Sequence, residues 1–343
     1  PMKIHVLFVA FACALFACGA VAETVNRDTA QDQRDFRGIP YLTLRNHADA
    51  DSPETFYGDD RGVPKAGWCE IDQTELGFLS LAAEAAPFRI PEEILRVSRV
   101  RELEANVLWD AFIESVGENT PTLYVHGYYI DFEKGCRRAT VFQENAGLEG
   151  HLLWFSWPSD GSLLDYARDE VDLYWSVPDI AAAIVEMETR FDGRPLNLVG
   201  HSLGARGLFL ALYDLASQGV DVQVANVVLL APDIDFEIFR KFWPRMHRLT
   251  DRMTVYTSDS DRPLQLSQRL HGYPRLGEAG NELQRLAVVE FIDVSDLPTM
   301  SASGHLYHLY NPGVGADLDL LLNDNRSAGD RPNLMQVNGS LWR

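Results

Sequence analysis

Short apolar segments alternate with helix-like segments through most of this chain, and that alternation constrains the fold more than any other feature of the sequence. The apolar segments are continuous, as in strands buried on both faces of a parallel sheet. Strands that alternate with helices predict an α/β fold, with a mostly parallel central sheet flanked by helices. The predicted strands are Thr122–His126, Leu152–Ser156, Leu196–Val199, Val227–Leu230, Met253–Tyr256 and Val288–Ile292. The predicted helices are Phe132–Asn145, Asp179–Arg190, Leu203–Ser217, Phe236–Leu249, Leu264–Leu270 and Leu306–Leu322.

The alternating region is bounded on both sides by less regular sequence. Apolar residues near helical spacing between Pro91 and Val116 predict a helix at the start of the main domain, which we place at residues 91–323. Residues 23–90 are expected to be an N-terminal extension that packs on this domain and contains a short strand at Trp68–Ile71. Residues 324–343 are polar and are expected to form a C-terminal tail that frays.

Residues 1–22 have the features of a secretory signal peptide. Lys3 precedes an apolar run from Val6 to Cys18, and Ala20-Val21-Ala22 fits a cleavage site. The run is short for a membrane span, so we expect a periplasmic or secreted protein. Lipidation at Cys18 stays open as an alternative, because Leu15–Cys18 resembles a bacterial lipobox, and a retained membrane anchor is a third interpretation.

Charge and cysteine content narrow the choice of partners. The chain has 30 Lys and Arg residues against 50 Asp and Glu residues, a formal net charge of −20. No broad basic face is available to bind phosphates, so we expect no nucleic-acid partner, and membrane contact is expected only if Cys18 is lipidated. Beyond the predicted signal peptide the cysteines are Cys69 and Cys136. An oxidising compartment permits them to pair, but two separate core thiols fit nearly as well.

One motif has the pattern of a catalytic nucleophile. Gly200-His201-Ser202-Leu203-Gly204 matches G-x-S-x-G, with a predicted strand directly before it and a predicted helix directly after it. This order is typical of a nucleophile elbow, in which glycines permit a strained turn and the helix N-terminus favours developing negative charge. Ser202 is therefore a candidate nucleophile. The alternative is that Ser202 only caps the helix.

Several motifs in a consistent order resemble the α/β-hydrolase superfamily, in particular a bacterial esterase/lipase-like branch whose members mostly have no assigned substrate. The resemblance extends from about Phe56 to Leu321. It implies an α/β-hydrolase fold with an N-terminal extension. The motifs are Phe56-Tyr57-Gly58, Val125-His126-Gly127-Tyr128, Phe155-Ser156-Trp157-Pro158-Ser159, His201-Ser202-Leu203-Gly204, Ala231-Pro232-Asp233-Ile234-Asp235 and Gly304-His305.

The resemblance also implies which residues complete the site. In these hydrolases the oxyanion is held by the backbone N–H groups of the residue after the nucleophile and of a loop after an earlier strand, here Leu203 and Tyr128. His126 is expected to be a structural histidine that bonds to that loop. The triad order of nucleophile, acid and histidine places the base after the last strand, which favours His305, with His308 as the fallback.

The acid is expected just past a strand end, where it orients the imidazole of the base. Asp261 follows the predicted strand Met253–Tyr256 and is the favoured candidate. Asp259, two residues earlier, and Asp233, after the preceding strand, stay open as alternatives. Asp261 also fits a helix N-cap before Arg262-Pro263.

The sequence contains no recognisable metal or cofactor motif, so we expect neither a metal nor a cofactor. The aromatic and leucine residues of Ser159–Pro178 fit a pocket wall, a small lid or simple packing. The predicted function is an exported serine hydrolase, carboxylesterase- or lipase-like, which acts on a small-molecule acyl ester through an acyl-enzyme. An acyltransferase with the same triad and a non-catalytic envelope scaffold are the alternatives. The sequence defines neither the acyl chain nor the oligomeric state.

Overall fold

The structure is a computed structural model that describes residues 37–48, 52–73, 95–162, 165–280, 289–298, 301 and 303–343. Arg37–Arg343 form one compact unit. The predictions of a signal peptide and of lipidation at Cys18, and the part of the predicted N-terminal extension before residue 37, lie outside the described residues. No helix in the described ranges is both long enough and apolar enough to cross a membrane.

A single sheet forms the centre of the described part of the chain. Its central strands are short and completely buried, whereas the two strands nearest the N-terminus are longer. The strands are β1 (Gly38–His47), β2 (Tyr57–Gln73), β3 (Leu95–Leu103), β4 (Thr122–Val125), β5 (Leu152–Ser156), β6 (Leu196–His201), β7 (Val224–Leu230), β8 (Thr250–Thr257), β9 (Val289–Asp293), β10 (Gln336–Asn338) and β11 (Leu341–Trp342).

Helices connect most of the parallel strands and cover the sheet. They are α1 (Ala105–Val116), α2 (Phe132–Asn145), α3 (Tyr166–Arg190), α4 (Leu203–Gln218), α5 (Phe236–Met246), α6 (Arg262–His271), α7 (Tyr307–Tyr310) and α8 (Pro312–Leu322). Short 3₁₀ helices lie at His247–Leu249 and Ala328–Asp330.

The strand order places one reversal of the winding direction beside β4. The order across the sheet is β10-β11-β9-β8-β7-β6-β4-β5-β1-β2-β3. In this spatial order all neighbouring strands between β11 and β1 are parallel. The outer pairs β1–β2, β2–β3 and β10–β11 are antiparallel. Open α/β sheets bind ligands at the carboxyl ends of strands where the order reverses, and here that point lies between β4 and β6.

The two faces of the sheet form separate hydrophobic cores, because successive side chains of a strand point to opposite faces. Leu123 and Val125 of β4 pack in one core, and Tyr124 between them packs in the other. Helices α1, α3, α4 and α5 supply side chains to the first core, and α2, α6 and α8 to the second. This two-sided burial explains the continuous apolar segments, and the predicted α/β fold is confirmed.

Several element boundaries differ from the predictions. The predicted helix over Pro91–Val116 is a helix only from Ala105, because Leu95–Leu103 pairs with β2 as a strand. The predicted helix from Asp179 begins earlier, at Tyr166, and continues through Pro178. Pairing partners and packing, which local spacing does not show, decide both cases.

The predicted N-terminal extension and C-terminal tail both supply strands to the sheet. β1 pairs in parallel with β5, and the predicted short strand Trp68–Ile71 is part of the longer β2. In the tail, which the sequence predicts to fray, Leu341 and Trp342 pair in parallel with β9. Arg331 is buried there and binds the carboxylates of Asp317 and Glu290. The tail is thus fixed by a long-range ion pair as well as by backbone pairing.

Cys69 of β2 and Cys136 of α2 form a disulfide. The bond closes a separation of 67 residues. In the chain-entropy account, closing a loop of that length stabilises the folded state by about 4 kcal/mol. The disulfide therefore fastens the N-terminal strands to the helix that follows β4.

Candidate active site

Ser202 lies in a sharp turn between the end of β6 and the start of α4. Its backbone is in the left-handed region, with φ at 52°. A residue other than glycine in this region costs roughly 1–3 kcal/mol and persists only where its surroundings hold it. Here the N–H of Ser202 donates to the carbonyl of Leu230 at 3.0 Å, and the N–H of Asp233 donates to the carbonyl of Ser202 at 3.2 Å. The end of β7 therefore holds the strained turn.

The glycines of the motif allow α4 to approach the sheet closely. A Cβ on Gly204 would lie 2.1 Å from the carbonyl oxygen of His126. A Cβ on Gly200 would lie 2.6 Å from Cα of Ala205. Only glycine fits at either position, so the G-x-S-x-G pattern is a packing requirement of this turn.

His305 and Asp261 form a buried pair next to this turn. Nδ1 of His305 lies 2.6 Å from Oδ2 of Asp261, and both residues are buried. The other carboxylate oxygen of Asp261 accepts the N–H of Leu264 at 3.0 Å, as a cap of α6. Asp261 therefore contacts His305 through one carboxylate oxygen and caps α6 through the other. Gly304, before the histidine, has φ at 69° and lies against the carbonyl of Ser260.

His201 links the turn to the His305 segment. Nε2 of His201 lies 3.2 Å from the backbone carbonyl of His305, and their ring centroids are 4.6 Å apart. This contact brings the residue before Ser202 onto the segment that carries His305. Nε2 of His305 is buried and has no hydrogen-bond partner among the described residues.

His308, the fallback base, is in a different environment. Its ring is completely buried and packs 4.2 Å from the ring of His201. Neither of its nitrogens has a hydrogen-bond partner in the part of the chain that the structure describes. Burial, together with the nearby imidazole of His305, lowers the pKa of His308 well below its usual value. A neutral ring with no carboxylate partner does not fit the base.

The two alternative acids are also placed away from His305. Asp259 is exposed. Asp233 is buried and accepts hydrogen bonds from Arg275 and Ser267, each at 2.6 Å, and from Tyr166. Burial alone would raise the pKa of Asp233, but the charges of Arg206 and Arg275 lower it to about 2. Asp233 thus connects neighbouring helices to the end of β7, and both of its carboxylate oxygens already accept hydrogen bonds.

The loop after β4 reaches the Ser202 turn through Gly127. A Cβ on Gly127 would lie 3.0 Å from Cβ of Ser202 and 2.8 Å from Nδ1 of His201. The next residue, Tyr128, has a backbone N–H with no acceptor among the described residues. The N–H of Leu203, the first residue of α4, has no acceptor within its helix. The geometry brings the two predicted oxyanion donors to neighbouring backbone segments.

His126 bonds to this loop, as expected for a structural histidine. Its Nδ1 lies 2.7 Å from the carbonyl of Gly127, so Nδ1 carries the proton. The ring stacks on Trp157 with centroids 5.2 Å apart, and the indole of Trp157 donates to the carbonyl of His126. Burial, with the positive charge of Arg45, lowers the pKa of His126 to about 3. His126 is therefore a neutral donor inside the protein.

Sequence analysis missed two buried charges beneath the same loop, Asp169 and Arg45. Asp169 lies on α3, in the segment Ser159–Pro178, which the sequence pattern predicts to be a pocket wall, a small lid or simple packing. Arg45 lies on β1, in the predicted N-terminal extension, where the sequence analysis names no candidate site residue. A single charged residue in a strand or helix carries no local signal of its burial, although Ser159 in one of the hydrolase-like motifs marked part of the region.

The aromatic residues of the Ser159–Pro178 segment have different positions. Leu163 and Leu164 lie outside the described residues. Tyr166 packs edge-on against Tyr128, with centroids 5.2 Å apart, whereas Tyr174 and Trp175 are exposed. Tyr166 therefore supports the loop that carries Tyr128. In the described ranges no group of His, Cys, Asp and Glu side chains is arranged to hold a metal ion.

Comparison with known proteins places this site in a family. The family model described as "alpha/beta hydrolase of unknown function (DUF900)" matches residues 106–320, more than half of the chain. The match includes Ser202, Asp261 and His305. No curated protein sequence matches the chain.

Similar solved structures include three enzymes or enzyme-like proteins. A thermostable esterase from Pseudomonas putida ECU1011 is 12% identical, with 89% of each chain covered and a TM-score of 0.36. A predicted CIB-like hydrolase from Thermoplasma acidophilum is 15% identical, with 60% of this chain and 87% of that chain covered and a TM-score of 0.32. A lipase-esterase related protein from Clostridium acetobutylicum ATCC 824 is 12% identical, with 58% and 93% covered and a TM-score of 0.32. These values are too low to carry an argument about activity. The extent of the family match decides the assignment: the chain belongs to the DUF900 family of α/β hydrolases.

Proposed function

We propose that this protein is a serine hydrolase that acts on carboxylic esters through Ser202, His305 and Asp261. One observation carries the proposal: a serine in a left-handed turn lies next to His201, which contacts the backbone carbonyl and the ring of His305 in a buried histidine–carboxylate pair. A serine hydroxyl is a weak nucleophile until a base accepts its proton, and a base of fixed orientation is what the Asp261 carboxylate provides.

The proposed reaction begins with Ser202 Oγ attacking the ester carbonyl while Nε2 of His305 accepts the hydroxyl proton. Asp261 holds Nδ1–H of His305 and stabilises the imidazolium that forms. His305 then returns the proton to the departing alcohol, which leaves an acyl group on Ser202. A water molecule, deprotonated by the same Nε2, releases the acid and restores the serine.

Negative charge that develops on the carbonyl oxygen needs fixed donors. The N–H groups of Leu203 and Tyr128 are proposed for this role, since neither is engaged by the surrounding backbone. The N-terminus of α4 points toward the same place, and its dipole favours negative charge. Donors of this kind are worth about 10²–10³ in kcat each.

Carboxylic esters are the proposed substrates because the motifs resemble an esterase/lipase-like branch. The same triad also transfers acyl groups to alcohols, so acyl transfer is the alternative activity. An assay with an added alcohol acceptor separates the two. Ester product that forms faster than free acid would favour acyl transfer.

We also propose that the protein is exported and works in an oxidising compartment. The Cys69–Cys136 disulfide supports this, since such bonds persist in secreted and periplasmic proteins and are rare in the cytosol. Intact mass of the protein isolated from its native host tests the proposal. Loss of residues 1–22 is expected, and a mass that retains them would contradict it.

The experiment that tests the proposed activity is labelling with a fluorophosphonate, which reacts only with an activated serine and needs no knowledge of the substrate. Intact mass spectrometry of the wild-type protein is expected to show one adduct, and Ser202→Ala is expected to abolish it. A folded wild-type protein that gains no adduct over hours would contradict the proposal and favour a non-catalytic scaffold.

A further inference from the structure

We propose that Asp169 is a positioning residue, which holds the loop after β4 in the one conformation that presents the N–H of Tyr128 to an oxyanion. This inference rests on the proposed function, because it gives a role to Tyr128 in acyl transfer. The loop in question is residues 127–130, called here the oxyanion loop. Asp169 is 40 positions from Tyr129 of this loop in sequence, and its carboxylate accepts the N–H of Tyr129.

The two peptide groups on either side of Tyr128 are each fixed by one hydrogen bond. In the first, the carbonyl of Gly127 accepts the Nδ1–H of His126 at 2.7 Å. Because the carbonyl and the N–H of a trans peptide point in opposite directions, the N–H of Tyr128 is turned away from His126. In the second, the N–H of Tyr129 donates to Oδ2 of Asp169 at 3.2 Å.

The bond from Tyr129 to Asp169 contributes more to the conformation of the loop than the bond from His126 to Gly127. Tyr129 has φ at 62°, in the left-handed region. This conformation is energetically unfavourable for any residue other than glycine and persists only where surrounding contacts hold it. His126 is next to the loop in sequence, so its bond joins neighbouring residues and does not tie the loop to a distant element. Asp169 is on α3, a long helix packed in the hydrophobic core, so it is a fixed point outside the loop.

Asp169 is also linked to the remainder of the loop through Ser159. The hydroxyl of Ser159 donates to Oδ2 of Asp169 at 2.5 Å and accepts the N–H of Ile130 at 3.2 Å. The other carboxylate oxygen accepts the N–H of Asp160 at 2.7 Å. One buried carboxylate therefore holds two consecutive residues of the oxyanion loop, Tyr129 directly and Ile130 through one hydroxyl.

Arg45, which forms an ion pair with Asp59 at 2.8 Å, also holds the end of the same loop. Its Nη2 donates to the carbonyl of Ile130 at 2.5 Å, and its Nη1 donates to the carbonyl of Ser159 at 3.0 Å. Both Arg45 and Asp169 are completely buried. This buried carboxylate accepts hydrogen bonds from Tyr129, Ser159 and Asp160, none of which lies in α3, so it does not cap that helix. Its contacts point to the loop.

The test compares Asp169→Asn with Asp172→Asn. Asp172 lies on the same helix and is buried to a similar degree, but it binds Arg61 and has no contact with the oxyanion loop. Three quantities are measured for each protein: kcat and KM on p-nitrophenyl butyrate, and Ki for an alkyl trifluoromethyl ketone. The ketone forms a tetrahedral adduct on the nucleophile, and its oxyanion occupies the proposed site.

For Asp169→Asn we expect kcat to fall about tenfold to a hundredfold and Ki for the ketone to rise by a similar factor, while KM stays within about threefold. Asp172→Asn is expected to keep all three quantities within about twofold of the wild type. A folded Asp169→Asn protein whose kcat and Ki match those of the wild type would overturn the inference. Equal losses in both variants would overturn it too, since they would indicate a general effect of altering α3.

Ser159→Ala decides the question if Asp169→Asn fails to fold. It removes the hydroxyl between Asp169 and Ile130 and leaves the carboxylate in place, so a smaller loss, about threefold to tenfold, is expected in kcat with KM unchanged. Wild-type values of kcat and Ki in Ser159→Ala would overturn the inference. Failure of the proposed function looks different, because the wild-type protein would then show neither turnover nor fluorophosphonate labelling.

Discussion

The Ser202 turn and the oxyanion loop meet at the same edge of the sheet, but they are built in different ways. The turn is specified by contiguous sequence: a strand, two glycines and a helix. The loop is held by residues that are distant in sequence, with Asp169 separated from Tyr129 by 40 positions and Arg45 from Ile130 by 85. Local sequence is therefore enough to specify a strained backbone where glycines allow close packing, as in the Ser202 turn. Where a backbone N–H must be held in a fixed direction, as in the oxyanion loop, tertiary contacts are needed.

The largest expected effect concerns two aspartates in the loop after β8, Asp261 and Asp259. Asp261→Asn is expected to lower kcat about 10⁴-fold, because an amide in place of the carboxylate favours the wrong tautomer of His305. Asp259→Asn, its neighbour on the exposed side of the same loop, is the control and is expected to stay within about twofold. Steady-state kinetics on p-nitrophenyl butyrate measure both.

Near-normal kcat in Asp261→Asn would contradict the assignment of the acid. In that event Asp233→Asn is the next variant to test, although its loss is expected mainly in stability. Asp233 lies between Arg206 and Arg275, and breaking one partner of a buried ion pair typically costs about 3–5 kcal/mol.

The second prediction concerns how the N-terminal strands are fastened to the helix after the oxyanion loop. A Cys69→Ala, Cys136→Ala double variant is expected to lose about 4 kcal/mol of unfolding free energy, since the unfolded chain regains its loop entropy. Urea unfolding measures this loss. The hydrogen bonds of Arg45 and Asp169 are unchanged, so kcat of the folded variant is expected within about twofold of the wild type. A large fall in kcat without a fall in stability would show that the disulfide, rather than these polar contacts, sets the loop.

The third prediction concerns the close approach between the turn and the oxyanion loop. Gly204→Ala places a Cβ 2.1 Å from the carbonyl oxygen of His126 and 2.4 Å from that of Val125. Overpacking of this kind typically costs about 1–3 kcal/mol, and we expect that loss in urea unfolding, with reduced fluorophosphonate labelling. Gly313→Ala is the matched control, because its Cβ meets only the side chain of Asn311 at 3.1 Å. Equal stability of the two variants would contradict the packing role of Gly204.

The smallest effect is a dependence of stability on pH. His126, His201 and His308 are buried and neutral, and burial is the main cause that lowers the pKa of each. In the unfolded chain these rings take up protons as the pH falls below about 6.5, whereas in the folded protein they do not. Their contribution to the free energy of unfolding is therefore fully present above pH 6.5 and is lost as the pH falls below it.

Replacement of one such histidine isolates its share of this dependence. His308→Leu is expected to remove at most one proton from the unfolding equilibrium, which lowers the slope of unfolding free energy by about 1.4 kcal/mol per pH unit between pH 6.5 and 5. His247→Leu, at an exposed position, is the control. Urea unfolding at a series of pH values measures the slope, and an unchanged slope in His308→Leu would contradict the buried, neutral state of this ring.

The central part of the fold was predictable because its elements are short and locally encoded. The strands β4 to β9 are buried on both faces, so each is a continuous apolar segment that is visible without any neighbour. The outer strands are different. β3 was predicted as helix and β11 as part of a fraying tail, because their residues are polar on one side and become strands only by pairing with β2 and β9.

The candidate site likewise combines residues that local sequence predicts with contacts that only the tertiary structure shows. Ser202 follows from its motif, and His305 and Asp261 follow from their order along the chain and from the hydrolase resemblance. Their 2.6 Å contact, and the separation of Asp233, Asp259 and His308 from it, follow only from the positions of strand ends in space. Pro178 obscured the helix that carries Asp169, since proline usually marks a helix boundary.

The sequence by itself determined the α/β fold class, the strained turn at Ser202 and the kinds of side chain available for acyl transfer. These features depend on the backbone preferences of glycine, on periodicity and on residue order, all of which act over a few neighbouring positions. The tertiary structure alone decided which carboxylate meets His305, whether Cys69 and Cys136 pair and which buried charges hold the oxyanion loop. Those choices depend on burial, because a charged side chain that folding removes from water must be paired or hydrogen-bonded, and its partners come from distant parts of the chain.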